Sequence, residues 1–591
     1  MPRPTTSVVL QGFSGLNTSP VAAEIGDTQA SVLDNLYIDP RQGRLVQRNG
    51  QTVLSGTPSP DQSLDMVAWH KLADTEYLLY MLDGNLYDKN TGSVVSGGTL
   101  AFASEGETNS VWFNNVVLFG NGIDSNKRFN GGNLIRDAVQ QALVNTVTLS
   151  GSLSPGNPNG TYRYKIVFLN GDGIEGEASE ATSGVTVSVG KIVIQGIPVC
   201  PAGQNCGARS IYRTADAGAE YFYVDTIPDN TTTVYVDNIS DSDLGDSLDE
   251  GRVKFPPVRY LVEHEGRVFG AYCLSPSGDT FTLYVSDKFD HTVCRVITDE
   301  TSTIDGGRFQ LNDQAAGVIT GLGRYGSVVM VFTGGRSYLF VGNQPSNFAL
   351  TFFSDVGCTS HRSIVSTRTQ IMWLASDGVY TWSGGAIERI SEDVREIIEA
   401  LTASEMSQAS ALIYDGRYHL FFPTFALVYD LVSGAWTKNT NVKYRDTTIS
   451  TYTTDSKPRL WGGRYGSSQI WKLEDGALDS TSGIVCRYST KDMNFGRNGR
   501  DTRVYSYSAL LRAQATTQTL SGSLVKGTGL TVKTATKDLS DTAVDGATIV
   551  RFEQAAPEQA RDEFFRLEFA CNSTSGTFEI LNLSLEVEKV E

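Results

Sequence analysis

Apolar and aromatic residues recur along this chain in short alternating runs, most of them closed by a Gly or Asp-Gly step. Residues 77–87 are typical. Two aromatic-aliphatic stretches flank Asp83-Gly84, a pair favoured in tight hairpin turns because both central positions need positive φ. The same shape returns at 111–119, 262–269, 328–341 and 371–382, then at 418–422, 427–436 and 460–471. Hairpin units spaced about 40–50 residues apart mark propeller blades, small twisted sheets that bury their faces only against neighbouring blades. The pattern predicts an all-β chain whose main body is a β-propeller.

The repetition breaks between residues 140 and 252. Residues 160–169 alternate cleanly into the turn 170–173, and further runs follow at 210–213, 221–225 and 232–237. This predicts an inserted fibronectin III-like β-sandwich, with blade-like segments resuming at Val258. One short helix is expected from Ser391, which would cap it. Glu392 and Asp393 stand in its first turn, and Val394, Ile397, Ile398 and Leu401 share one face. From residue 481 the alternation changes again over 503–514, 518–533 and 563–588, which predicts a C-terminal β-sandwich. The expected domains are thus 1–139 (N-terminal segment and first blades), 140–252 (insert), 253–480 (remaining blades with the helix) and 481–591 (terminal sandwich).

A length of 591 residues exceeds one core and fits about four domains of ordinary size. Gly numbers 59 against 18 Pro, as many short strands with tight turns require. The formal net charge of −18 gives no general attraction for phosphate backbones, so the chain should not grip DNA, although it could enclose DNA without sticking to it. Negative charge also keeps a large protein soluble. Seven Cys include no C-x-x-C pair; Cys200 and Cys206 can bridge a hairpin loop, and reduced, buried thiols made in a cytoplasm fit the others best. No secretory apolar region opens the chain and no apolar run reaches bilayer length, so export by signal peptide is not expected.

Candidate chemistry is sparse. His70, His264, His291, His361 and His419 include no pair at the spacing of a helical zinc site. No G-x-S-x-G, P-loop or G-x-G-x-x-G stands between a strand and a helix. Gly334-Gly335 and Gly462-Gly463 are expected in tight turns. Asp241, Asp243, Asp246, Asp249 and Glu250 offer carboxylates that calcium could use. Their spacing matches no EF-hand, and a solvated acidic linker is the simpler expectation. Residues 376–382 resemble the Asp-box hairpins of sialidase propellers but lack the S-x-D-x-G spacing. No catalytic, cofactor-binding or metal residue is expected, no cofactor is implied, and the chain reads as no enzyme.

Three segments carry a family resemblance. The first runs Gly12-Phe13-Ser14-Gly15-Leu16-Asn17-Thr18-Ser19-Pro20, then Glu24-Ile25-Gly26-Asp27, Leu33-Asp34-Asn35-Leu36 and Gly43 through Arg48 to Gly50. It resembles the opening of the tail nozzle proteins (tail tubular protein B) of short-tailed bacteriophages, where it introduces the first blade. Asn49 stands where those proteins usually have proline, and Phe13-Ser14 interrupts their paired glycines. Residues 355–365 with 373–380, and Lys491-Asp492-Met493-Asn494-Phe495, are similar to further stretches of the same family. The resemblance implies a structural virion protein: a homohexamer at the distal end of the tail, docked on an adaptor ring. Its channel would be closed before infection and would conduct DNA during ejection, and its insert would meet tail fibres or host-surface glycans. Two other classes compete. A carbohydrate-binding or carbohydrate-cleaving propeller tail protein needs an aromatic-lined cleft with paired carboxylates; a cytoplasmic propeller scaffold would bind peptides as a monomer.

Overall fold

The computed structural model describes residues 5–589 except 21–24, 40, 55–63, 99–101, 103–106, 137–140, 154, 172, 202–205, 296–300, 312–316, 451–457, 496–500, 514–517, 540–546, 554–559 and 574–577. Glu24 of the opening motif lies outside the described residues. Strands take 55% of the chain and helix 4%, so the fold is all-β. The chain falls into two compact units, Met1–Trp69 with Leu78–Asp83 and Cys358–Glu591, and His70–Tyr77 with Gly84–Gly357.

Four-stranded antiparallel meanders recur through both. Six of them form separate sheets, five in chain order, and another (Ser410–Tyr414, Arg417–Phe421, Phe425–Asp430, Trp436–Thr440) lies inside a ten-stranded sheet. Their hairpins use the turn chemistry that the alternation suggested. Asp415 (φ 49°) and Gly416 (φ 72°) link two strands in direct register, as do Glu265 (φ 50°) and Gly266 (φ 74°). The meander Tyr444–Ser450, Arg459–Arg464, Ile470–Leu473 takes its outer strand, Gln51–Val53, from the other end of the chain. Gly462-Gly463 is not a turn: both residues lie within Arg459–Arg464, and the bare backbone at Gly462 makes room for the Tyr444 ring, 2.5 Å from where a Cβ would stand.

The insert packs two three-stranded sheets face to face, with a further two-stranded pair, Gly160–Tyr162 and Val185–Val187. One sheet runs Thr148–Leu153, Lys191–Gln195, Val234–Asp237, the other Tyr164–Asn170, Cys206–Thr214, Tyr221–Ile227. Tyr164, Ile166 and Phe168 of the second sheet and Ile192 and Ile194 of the first meet in one buried core.

The first unit holds a second sandwich, and the N-terminal segment is woven into it rather than serving only to introduce a blade. Gln29–Asp34 pairs antiparallel with Ile484–Thr490, which pairs with Phe565–Ser573 and so on to Gln518–Lys526 and Thr531–Asp538. In the facing sheet, Thr6–Leu10 and Arg44–Gln47 both add to Phe578–Lys589, which pairs with Thr502–Ala513. Phe13, Leu33 and Leu45 are buried in one core with Tyr507, Phe552 and Phe569. Tyr507 stacks on Phe552 at 5.0 Å.

The expected helix is shorter than the periodicity suggested. A 3-10 turn, Glu392–Val394, leads into the α-helix Arg395–Glu399, and a second helix follows at Ala403–Ser407. Ser391 is fully buried and caps nothing; its Oγ accepts the Val379 N–H at 2.9 Å. The capping box belongs to the second helix, where Thr402 and Glu405 satisfy each other's backbone N–H.

Candidate functional site

The residues of the opening motif converge on a buried polar cluster in the first unit. Asn35 (φ 59°) breaks the strand between Gln29–Asp34 and Leu36–Asp39, and this bend turns its amide inward. Its Nδ2 donates to Thr440 Oγ1 at 2.6 Å and to the Val485 carbonyl at 2.7 Å. Its Oδ1 accepts Arg48 Nε at 2.8 Å. The Arg48 guanidinium then meets Asp479 as a fork, Nη1 to Oδ1 at 2.9 Å and Nη2 to Oδ2 at 2.7 Å. These side chains are only 2% and 5% exposed. Such a pair is held by geometry and satisfied hydrogen bonds, and it becomes a buried unpaired charge if either partner is removed.

Glu474 sits beside this fork. Its Oε1 accepts the Tyr37 hydroxyl at 2.6 Å and its Oε2 the Asn49 amide at 3.2 Å, so Asn49 adds a contact that proline could not make. Asn439 donates to the Tyr37 oxygen at 2.8 Å, and the Arg417 guanidinium lies 4.5 Å over the Tyr37 ring. Burial raises the Glu474 carboxyl, and burial with the adjacent Glu474 charge drives the Tyr37 hydroxyl far above its ordinary value. Gly50 closes the cluster, with the Leu478 carbonyl oxygen 1.9 Å from where a Cβ would stand. Both oxygens of each carboxylate are engaged and the hydroxyl already donates, so the cluster's chemistry is to fasten, not to transfer protons.

The same segment forms one wall of a groove of about 630 Å³, together with the 491–495 motif. Phe13 meets Tyr488 edge-on at 5.4 Å. At the mouth, Lys491 Nζ reaches Asp27 at 2.6 Å and the Ile25 carbonyl at 3.1 Å. Two resembling segments, separated by more than four hundred residues in sequence, therefore share one pocket. Its carboxylates, Asp27 and Asp492, each face a cation rather than each other, with Asp492 3.6 Å from Arg566.

The remaining sequence candidates are dispersed. The acidic stretch is cross-linked rather than a free linker: Asp241 pairs with Arg213 at 2.8 Å, Asp249 with Arg295 at 2.6 Å and Glu250 with Lys165 at 2.6 Å. Asp243 accepts Ser240 Oγ at 2.6 Å, and the Asp246 carbonyl accepts the Tyr223 N–H. Among the described residues no three His, Cys, Asp or Glu side chains gather as metal ligands. Burial lowers His70 to about 4 and His419 to about 3, which leaves both imidazoles neutral near pH 7. Asp377 in the Asp-box-like hairpin accepts the Tyr380 hydroxyl at 2.7 Å and its carbonyl accepts an Arg389 N–H, both local turn contacts. Cys200 and Cys206 are joined in a disulfide, whereas the other five cysteines are buried and form none. Sequence reasoning missed Arg48 and Asp479 as a pair; the only signal was that Arg48 belongs to the resembling motif.

No family model and no curated protein matches this chain. Among solved structures it is similar to the N-terminal domain of Nup159, at TM-score 0.25 and 10% identity over 58% of this chain and 85% of that one. The Neurospora crassa Pan2 WD40 domain gives TM-score 0.25 and 8% identity over 63% and 90%. A catalytically inactive virginiamycin B lyase from Staphylococcus aureus gives 0.23 and 9% over 55% and 99%. At such TM-scores the superpositions carry no weight on function, and the all-β fold stands on the sheets themselves.

Proposed function

We propose that this chain is a structural component of a short-tailed phage, the subunit of a homohexameric nozzle that docks on the tail adaptor ring and conducts DNA during ejection. In this reading the repeated meanders close into a propeller. The observation that carries it is the use made of the resembling motif residues: Asn35, Arg48 and Gly50 hold the two ends of the chain together through contacts with 440, 478, 479 and 485. Residues so placed serve architecture, as a scaffold subunit requires. The net charge of −18 suits a lumen that lets DNA pass without holding it. The test is the mass of the purified chain by light scattering, alone and after mixing with candidate adaptor rings. Six copies, free or on the ring, support the nozzle. A monomer that ignores every adaptor and binds a glycan overturns it in favour of a sugar-binding tail protein.

A further inference from the structure

Five buried cysteines remain reduced, and two of them face each other. Cys486 on Ile484–Thr490 and Cys571 on Phe565–Ser573 are direct register partners across an antiparallel pair. Each is 1% exposed and both belong to the core of the first unit. Directly opposed residues on antiparallel strands have Cα atoms about 4.5 or about 5.5 Å apart, and both values fall within the span of about 4.4–6.8 Å that a disulfide bridges. Their Cβ atoms, about 4.5–5.5 Å apart, need to approach by up to about 1 Å. The register gives Cys273 a different partner, Asp279.

We propose that Cys486 and Cys571 are a latent disulfide, formed when the protein meets a small-molecule disulfide oxidant. One thiol loses its proton and attacks the oxidant, forming a mixed disulfide and expelling a small thiolate. The second thiolate attacks the protein sulfur of that mixed disulfide, and a second small thiolate leaves. Two protein S–H bonds are lost, one S–S bond forms, and the oxidant is reduced to two thiols. Cys486 gives up its weak hydrogen bond to the Asn35 carbonyl, now 3.4 Å, as its sulfur turns toward the partner strand. Burial raises both thiols, Cys571 to about 12, so attack waits on a local parting of the two strands. The bond would tie the strand that holds the N-terminal segment to the strand that continues into the terminal sandwich. The inference is independent of what the chain assembles with.

The full chain, purified reduced, is held with oxidised glutathione in urea just below its unfolding transition, so that access does not limit the reaction. It is then acid-quenched, alkylated, digested and mapped by mass spectrometry, with re-formation of Cys200–Cys206 reporting that the oxidant acted. The expected result is a linked peptide pair containing Cys486 and Cys571, two hydrogens lighter than the free thiol peptides. A higher urea midpoint is also expected in the oxidised protein, absent in Cys486→Ala or, if that variant fails to fold, in Cys571→Ser. Recovery of both cysteines as alkylated thiols, or as separate glutathione adducts, overturns the proposal.

Discussion

Two buried arginine–aspartate pairs, one in each unit, do the same chemistry at opposite sequence scales. Arg48 meets Asp479 across 431 positions, whereas Arg213 meets Asp237 across 24. Arg213 and Asp237 are fully buried. Asp237 also accepts the Tyr164 hydroxyl at 2.6 Å, and Arg213 packs 4.4 Å over the Tyr162 ring. Every one of those partners belongs to the insert. The partners of Arg48 come from strand ends on both sides of the chain. The local pair stabilises a module that closes on itself. The long-range pair decides whether the two ends of the chain stay in one sheet system.

The strongest way to break this comparison is Arg48→Met. It strands Asp479 as a buried charge and should destabilise the first unit by about 3–5 kcal/mol, read as a fall in the urea midpoint. Arg213→Met should cost somewhat less, about 3 kcal/mol, because Asp237 keeps the Tyr164 hydroxyl at 2.6 Å, a shorter bond than the one at 3.2 Å that the Asn441 amide leaves to Asp479. Its effect should appear as a transition confined to residues 140–252 in limited proteolysis, with the remainder resistant. Gly462→Ala sharpens the closing of the last meander. Its methyl would press on the Tyr444 ring beside the Gln51 hydrogen bond, for an expected loss of about 1–3 kcal/mol by the same unfolding assay.

The last effect is in the pH profile. His419 has its folded value lowered from 6.5 to about 3, so the unfolded chain binds the extra proton between those limits. Its contribution is fully present above pH 6.5 and is lost as the pH falls toward 3, by at most about 1.4 kcal/mol per unit. Asp446 opposes it: burial raises its carboxyl to about 6, so the folded state gains stability as the pH falls from 6 toward 3.8. His419→Phe should therefore flatten the acid limb of the first unit's stability curve and leave values above pH 7 nearly parallel to wild type.

What the sequence made legible follows the same division. Hairpins such as 415–416, and the insert's neighbouring runs at 210–213 and 221–225, were readable because their partners lie close by in sequence. The pairing of Leu33 with Tyr488 was not, since alternation shows that a strand has two faces and says nothing of which distant strand adds to its edge. The helix near residue 391 was placed correctly by its apolar face. Its cap was misassigned because Ser391 serves a neighbouring strand, a choice made by tertiary packing. The acidic stretch read as solvated because Arg213, Arg295 and Lys165, which neutralise it, lie about 30–85 residues away or on other strands. Of the candidate site, the resembling motif made Asn35, Arg48, Asn49 and Gly50 visible, without their distant partners Thr440, Glu474 and Asp479.

Hydrogen exchange measured by mass spectrometry on wild type and Arg48→Met tests the fastening most directly. Protection should fall together in Gln29–Asp34, Gln51–Val53, Ile470–Leu473 and Ile484–Thr490, while Tyr164–Asn170 and Cys206–Thr214 of the insert keep theirs. Loss confined to the residues touching Arg48, or spread equally into the insert, would contradict the role given to this pair.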